Sequence, residues 1–158
     1  MEKIMYVTDL DGTLLNQKDR INKKSLEIIN GLVEEGMLFT YATARSLVSA
    51  SVVTEGLTTK IPVIAYNGAF IFQPETREIL SREDFSQEER AYATEVIRAN
   101  GVWPLVYAFV DGVERVSWLS GRENDGIRRY LSLRKGDRRL RPVEDDERLY
   151  QGEIFYFT

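Results

Sequence analysis

A short apolar run, Lys3 to Thr8 (KIMYVT), breaks off into an acidic, glycine-containing turn at Asp9 to Gly12. Few features constrain a fold more, because β-rich apolar residues ending in a polar turn read as a buried strand feeding a surface loop. The same grammar recurs further along the chain. Between Asn22 and Gly36, Leu26, Ile29 and Val33 share one helical face, with Asn22 placed to cap the start and Gly36 to close the end. Met37 to Ala42 reads as a second strand, and Ser46 to Gly56 as a small-residue helix with Ala50 and Val53 facing inward. Ile61 to Tyr66 reads as a third strand, succeeded by the turn signal Asn67-Gly68. Strand, helix, strand, helix, strand predicts an α/β domain with a Rossmann-like parallel sheet and right-handed crossovers.

After Asn67-Gly68 the pattern changes. Ala69 to Phe72 and Glu78 to Leu80 suggest a hairpin, and Ser86 with Glu89 forms a capping box opening a helix that carries Tyr92, Val96 and Ala99 and stops at Asn100-Gly101. Leu105 to Val110 and Val113 to Trp118 flank Asp111-Gly112, the strongest hairpin signal in the chain. A helix over Arg122 to Leu133 and a strand over Glu153 to Phe157 complete an α+β unit with antiparallel pairing. The reading is therefore residues 1–82 as the core and 83–158 as a second domain, with the boundary near Arg82 to Phe85.

Composition narrows the chemistry. Of 158 residues, 43% are hydrophobic and 29% charged, which is ordinary globular composition. No cysteine and no histidine are present, so disulfides, thiolate catalysis, His-based triads and His-rich zinc sites are excluded, leaving carboxylates, Lys or Tyr for proton transfer. The net charge of −4 offers no overall attraction to nucleic acid. Arg122 to Arg141 is locally basic but reads as a solvated face balanced by Glu144 to Glu147, and Trp103, Tyr107, Phe109 and Trp118 as core or cross-strand pairs. No apolar run approaches the ~18 residues of a membrane span, and Met1 to Lys3 leads straight into a strand rather than a leader, so the expectation is no membrane and a cytoplasmic location.

The chemistry concentrates at predicted strand ends, where open parallel sheets bind ligands. In Asp9-Leu10-Asp11-Gly12-Thr13-Leu14-Leu15, two carboxylates two residues apart can face one crevice. Their crowding favours a divalent cation, and hard oxygen ligands favour Mg²⁺. A carboxylate can attack phosphorus, and a second can protonate the leaving oxygen and later deprotonate water. Gly12 permits a tight turn that presents backbone N–H groups to phosphate oxygens. Thr43, in Ala42-Thr43-Ala44-Arg45, offers a hydroxyl to a transferring group. Arg45 can clamp a substrate anion or pair with a carboxylate. Asn67 either lines the same crevice or is an ordinary turn residue.

These segments resemble the first and second motifs of haloacid dehalogenase-like hydrolases, and the Tyr66 to Ala69 segment resembles the pattern of their Cof-type subfamily. The resemblance implies an incomplete Rossmann-like core and, after it, an inserted, incomplete α+β cap of the IIB type. It implies Asp9 as nucleophile and Asp11 as general acid and base, with Mg²⁺ held by the Asp9 side chain and the Asp11 main-chain carbonyl. Leu10, Gly12, Thr43 and Ala44 would bind the phosphoryl group, and Arg45 and Asn67 the substrate. Family members mostly carry Gly where this chain has Ala44, so the added Cβ is expected to restrict φ > 0 there. Asp11 favours phosphatase or phosphomutase chemistry, since dehalogenases lack a carboxylate at that position and P-type ATPases usually carry Thr.

The implied activity is Mg²⁺-dependent hydrolysis of small phosphomonoesters such as sugar phosphates. A phosphomutase, or a non-catalytic binding module or remnant, are the alternatives. The family's third motif, a Lys, and its fourth, an acidic pair, have no match: Lys60 precedes the third strand, and Gly136-Asp137 is succeeded by Arg138 and Arg139. Either the aromatic strand at Ile154 to Thr158 tucks into a sheet or the chain stops part-way through a domain. The second reading predicts weak or no activity and self-association through unpaired sheet edges.

Overall fold

The computed structural model describes residues 4–158. Lys3, where the sequence reading begins the first strand, lies outside the described residues, as do Met1 and Glu2. The chain divides into two units, one ending at Glu83 and the other beginning at Asp84.

In the first unit, β1 (Met5–Thr8) pairs in parallel with β2 (Leu38–Tyr41), from Met5 opposite Leu38 to Thr8 opposite Tyr41. A parallel bridge between Ala42 and Ile64 joins β2 to β3 (Val63–Ala65). The crossovers are α1 (Lys23–Glu34) and α2 (Leu47–Val53). The side chain of Asn22 caps α1 by accepting from the Lys24 N–H at 2.9 Å, and Gly36, at φ 103°, closes it. Val33, Ala50 and Val53 are the buried helix residues, with Leu26 and Ile29 half-buried beside Val33. Loop placement after α2 is also side-chain controlled: Asn30 donates to the Gly56 carbonyl and accepts from the Thr58 N–H, each at 2.8 Å.

One expectation for this unit fails. β1 was expected to be buried, yet Ile4, Met5, Tyr6 and Val7 are all exposed, at 66% to 46%. Apolar composition states what a strand prefers to touch, but β1 has one strand neighbour among the described residues. The hairpin expected after Asn67-Gly68 is present and builds onto β3 within this unit. β4 (Phe70–Phe72) folds back antiparallel on β3, and β5 (Ile79–Arg82) pairs with β4. Successive positive φ values at Tyr66, Asn67 and Gly68 (51°, 56° and 97°) make that reversal, so the sheet is mixed.

The second unit opens with α3 (Gln87–Ala99), whose capping box is formed by Ser86 and Glu89 through bonds of 2.8 and 3.2 Å. Tyr92 and Val96 point outward. Thr94 is the buried residue of that helix, with Ala93 and Ile97 half-buried. β6 (Val106–Val110) and β7 (Val113–Leu119) form the predicted hairpin, with Asp111 and Gly112 both at positive φ (52° and 74°) as a two-residue turn of this hand requires. Then come α4 (Asp125–Ser132), β8 (Leu140–Val143), α5 (Asp146–Leu149) and β9 (Glu153–Phe157). α4 starts three residues later than expected because Asn124 caps it, accepting from the Ile127 N–H at 2.8 Å.

The sheet order is β8-β7-β6-β9. β7 and β9 each run antiparallel to β6, as expected, and β8, a strand the sequence did not announce, runs parallel to β7. β8 is an edge strand, which is why it tolerates Pro142. Val106, Ala108, Val110, Val143, Leu149 and Ile154 form one buried cluster. Tyr107 and Trp118 are buried as expected, bonded to the Tyr130 hydroxyl (3.0 Å) and Glu123 (3.1 Å) respectively. Among the described residues no helix is long and apolar enough to cross a membrane.

Gly152 and Gly136 both lie at positive φ (94° and 85°), but only at Gly152 would a Cβ collide, coming 2.3 Å from the Phe109 carbonyl oxygen. Gly136→Ala should cost about 1 kcal/mol of backbone strain, and Gly152→Ala clearly more. Urea unfolding monitored by tryptophan fluorescence checks this, since Trp103 and Trp118 are both in this unit. Equal midpoints for the two variants would contradict it.

Candidate active site

The carboxyl ends of the three parallel strands are laced by main-chain hydrogen bonds. The Ala42 N–H donates to the Thr8 carbonyl (2.8 Å), the Thr43 N–H to Ile64 (3.0 Å) and the Asn67 N–H to Thr43 (3.0 Å). The Tyr66 N–H adds a bond to the Arg45 carbonyl (3.0 Å). The loops carrying Asp9, Thr43 and Asn67 therefore sit side by side on one rim.

On the first loop, Asp9 leaves β1 in extended conformation (φ −76°, ψ 161°) and is exposed. The Leu10 side chain is fully buried and anchors the loop, so only its backbone is available to a ligand. Gly12 turns the chain at φ 74°, and the Leu15 N–H closes the turn on the Leu10 carbonyl (2.9 Å). Nothing lies within 4 Å of where a Cβ would stand on Gly12, so glycine is needed there for its φ rather than for space. The returning chain is pinned by an antiparallel bridge between the buried residues Leu15 and Ile21.

On the second loop, Thr43 is buried and its hydroxyl accepts the Arg45 N–H (3.1 Å), which leaves the hydroxyl proton to donate elsewhere. Ala44 is not among the residues at positive φ, so the expected penalty of its methyl group does not arise. Ser46 caps α2, accepting from the Ser49 N–H at 3.1 Å. On the third loop, the left-handed Tyr66 is anchored by burial against Phe70 (ring centroids 5.4 Å apart), and the left-handed Asn67 is exposed.

Charge at the rim is organised by Arg45. Of its two sequence readings, the structure contains the carboxylate pair: Nε lies 2.8 and 3.2 Å from the Asp11 oxygens and an Nη 2.5 Å from one of them. The bond to Arg45, more than their charge attraction, holds the Asp11 carboxyl below its ordinary value and raises the guanidinium. An Arg45 Nη is also 3.6 Å from Asp19. The sequence reading missed Asp19, and no linear signal links residues 26 positions apart. Asp9, by contrast, has no hydrogen-bonded or ionic side-chain partner among the described residues.

Two other charged candidates have partners of their own. Lys60, at the amino end of β3, pairs with Glu34 at 2.8 Å, and Asp137 is held by Arg139 at 2.7 Å. Among the described residues no three His, Cys, Asp or Glu side chains cluster to hold a metal. The Asp9 carboxylate and the Asp11 carbonyl are hard oxygens suited to Mg²⁺, but they are two of the roughly six it takes. A hollow of about 510 Å³ lined by Tyr41, Ser51, Thr54, Lys60 and Arg77 includes none of the rim residues. It is not the place where the polar groups of the strand ends converge.

A family model described as haloacid dehalogenase-like hydrolase matches residues 6–150. The 5-amino-6-(5-phospho-D-ribitylamino)uracil phosphatase YwtE of Bacillus subtilis is 32% identical over 99 residues, 63% of this chain and 34% of that protein. The crystal structure of TM0651 from Thermotoga maritima superposes with a TM-score of 0.67 at 28% identity, covering 97% of this chain and 54% of that one. A haloacid dehalogenase subclass IIB sugar phosphatase, BT4131, gives 0.68 at 21% identity, covering 97% and 56%. The chain thus spans about a third of the length of the curated relatives it matches and just over half of these solved chains.

Because Asp11 is depressed, its pairing with Arg45 stabilises the fold at pH values above 3.8, the ordinary Asp value, and that contribution disappears as pH falls through the depressed one. Both side chains are partly exposed, so the contribution at neutral pH is under about 1 kcal/mol. Carboxyl-detected NMR titration should find Asp11 below 3.8 and returning toward it in Arg45→Ala. An unchanged titration in the variant would show that the pair does not form in solution.

Proposed function

The chain belongs to the haloacid dehalogenase-like hydrolases, and from that membership we propose that it carries the reacting carboxylates of a Mg²⁺-dependent phosphatase acting on small phosphorylated metabolites. The observation that carries the proposal is the laced rim, with Asp9, which has no side-chain partner among the described residues, at its first strand end and the Thr43 hydroxyl on the adjoining loop.

In the proposed reaction an Asp9 oxygen attacks phosphorus, the bond to the leaving oxygen breaks, and Asp11 gives that oxygen its proton. Water then attacks the aspartyl-phosphate, Asp11 takes the water's proton, and the Asp9–phosphorus bond breaks to release inorganic phosphate. The Thr43 hydroxyl and the backbone N–H groups of the Leu10 to Gly12 and Thr43-Ala44 segments donate to the phosphoryl oxygens, where negative charge develops. Asn67 contributes its amide to the substrate. The Asp9 carboxylate and Asp11 carbonyl would hold Mg²⁺, which supplies charge neutralisation and orientation of the phosphoryl group.

We assign the second unit the role of the substrate-selecting cap that the family resemblance implies. The substrate class is supported by relatives named for phosphorylated metabolites, one for a phosphoribitylamino-uracil and one for sugar phosphates. Lys60 is tied to Glu34 and Asp137 to Arg139, so neither is offered as the lysine or acidic pair that the family adds. The 158 residues alone are therefore expected to turn over slowly, a missing oxyanion donor alone costing on the order of 10²–10³ in rate.

A panel of phosphate esters assayed with and without Mg²⁺ checks the proposal. Residual turnover should require Mg²⁺ and vanish in Asp9→Asn. Asp11→Asn should slow alkyl phosphates more than p-nitrophenyl phosphate, whose leaving group needs no proton. Turnover that survives Asp9→Asn would contradict the assignment.

A further inference from the structure

Arg45 stands between two carboxylates. It grips Asp11 through three contacts of 2.5 to 3.2 Å and lies 3.6 Å from Asp19. Asp19 is not free to wander, because its turn is tightly bonded. The Asp19 N–H donates to the Asn16 carbonyl (3.0 Å), the Asn16 N–H to Arg20 (2.9 Å), and the Asn16 side chain accepts from the Lys18 N–H (2.8 Å). The buried pair Leu15 and Ile21 closes the base of that turn. Asp19 itself adopts the left-handed conformation at φ 52°, which aspartate tolerates in a tight turn and which fixes the path of the chain there.

We propose that Asp19 is a positioning residue that acts on Asp11 through Arg45, offering the guanidinium a second carboxylate so that Asp11 can turn to the reacting oxygen. This rests on the phosphatase reading above. The need for such a seat comes from the chemistry. A proton donor and acceptor cannot work while both its oxygens are occupied by a guanidinium fork, and a guanidinium does not readily give up its only counter-charge. With five donors, Arg45 can trade one carboxylate for the other without standing unpaired. The Ser49 hydroxyl, 3.5 Å from the other Nη, lies beside the head group at the start of α2. Exposed pairs of this kind are individually weak, so the exchange is open at room temperature.

The test uses the 158-residue chain labelled with ¹⁵N, comparing hydrogen exchange of the Arg45 Nε–H in the wild type, Asp11→Asn, Asp19→Asn and the double variant. All substitutions fall on exposed side chains, and unchanged backbone amide spectra establish that the fold is kept. Each single substitution should leave exchange within about two-fold of wild type because the other carboxylate takes over, and the double should speed it roughly five-fold or more. Full release by either single substitution would overturn the proposal. Orthophosphate added to the wild type tests the underlying reading separately: it should shift the Thr43 amide. If that shift is missing the phosphatase reading falls, whatever Arg45 does.

Discussion

The hydrogen bonds from Ala42 to Thr8, from Thr43 to Ile64 and from Asn67 to Thr43 hold together the strand-end rim of the first unit. Each uses a main-chain group just beyond a strand, where the ladder would otherwise leave a donor unsatisfied. Because they join three loops from distant parts of the sequence, they set the rim independently of any rim side chain. Burial of Leu10, Thr43 and Tyr66 then fixes which way each loop faces. The result is a polar edge held largely by backbone and core, on which Asp9, Asp11, Arg45 and Asn67 stand.

Electrostatics at that edge is uneven, and the unevenness separates the two aspartates. Asp11 is neutralised by Arg45, whereas Asp9 has no side-chain partner among the described residues, which suits the nucleophilic role proposed for it. Elsewhere cations are spent on structure. Arg139 is buried between Glu114 (2.6 Å) and Asp137 (2.7 Å), and Arg141 reaches the Arg148 carbonyl at 2.9 Å. The basic stretch in the second unit is thus partly a set of bonds that seat β8 and α5, not simply a solvated surface.

Features with a local cause were legible in the sequence. Caps at Asn22 and Ser86, the Asp111-Gly112 turn and the inward faces of α1 and α2 depend on neighbours within a few residues, and the structure shows them at those positions. The order of strands and helices led to the parallel sheet, and motif spacing led to the residues that share the rim. The features that were not legible depend on distant neighbours. β8 reads as a basic, proline-bearing loop until Glu114 and the β7 edge are beside it. The exposure of β1 is a matter of what covers it, which composition does not encode. The contact of Asp19 with Arg45 arises only because the Leu15–Ile21 turn folds over the rim.

The account turns on Asp9 being the atom donor to phosphorus, and chemical trapping measures that directly. The chain would be incubated with a small phosphate ester and Mg²⁺, quenched in acid, reduced with borohydride and mapped by mass spectrometry. Reduction at Asp9, absent without the ester, is the predicted result. Reduction at a different carboxylate, or phosphate release with no trapped carboxylate, would contradict the account.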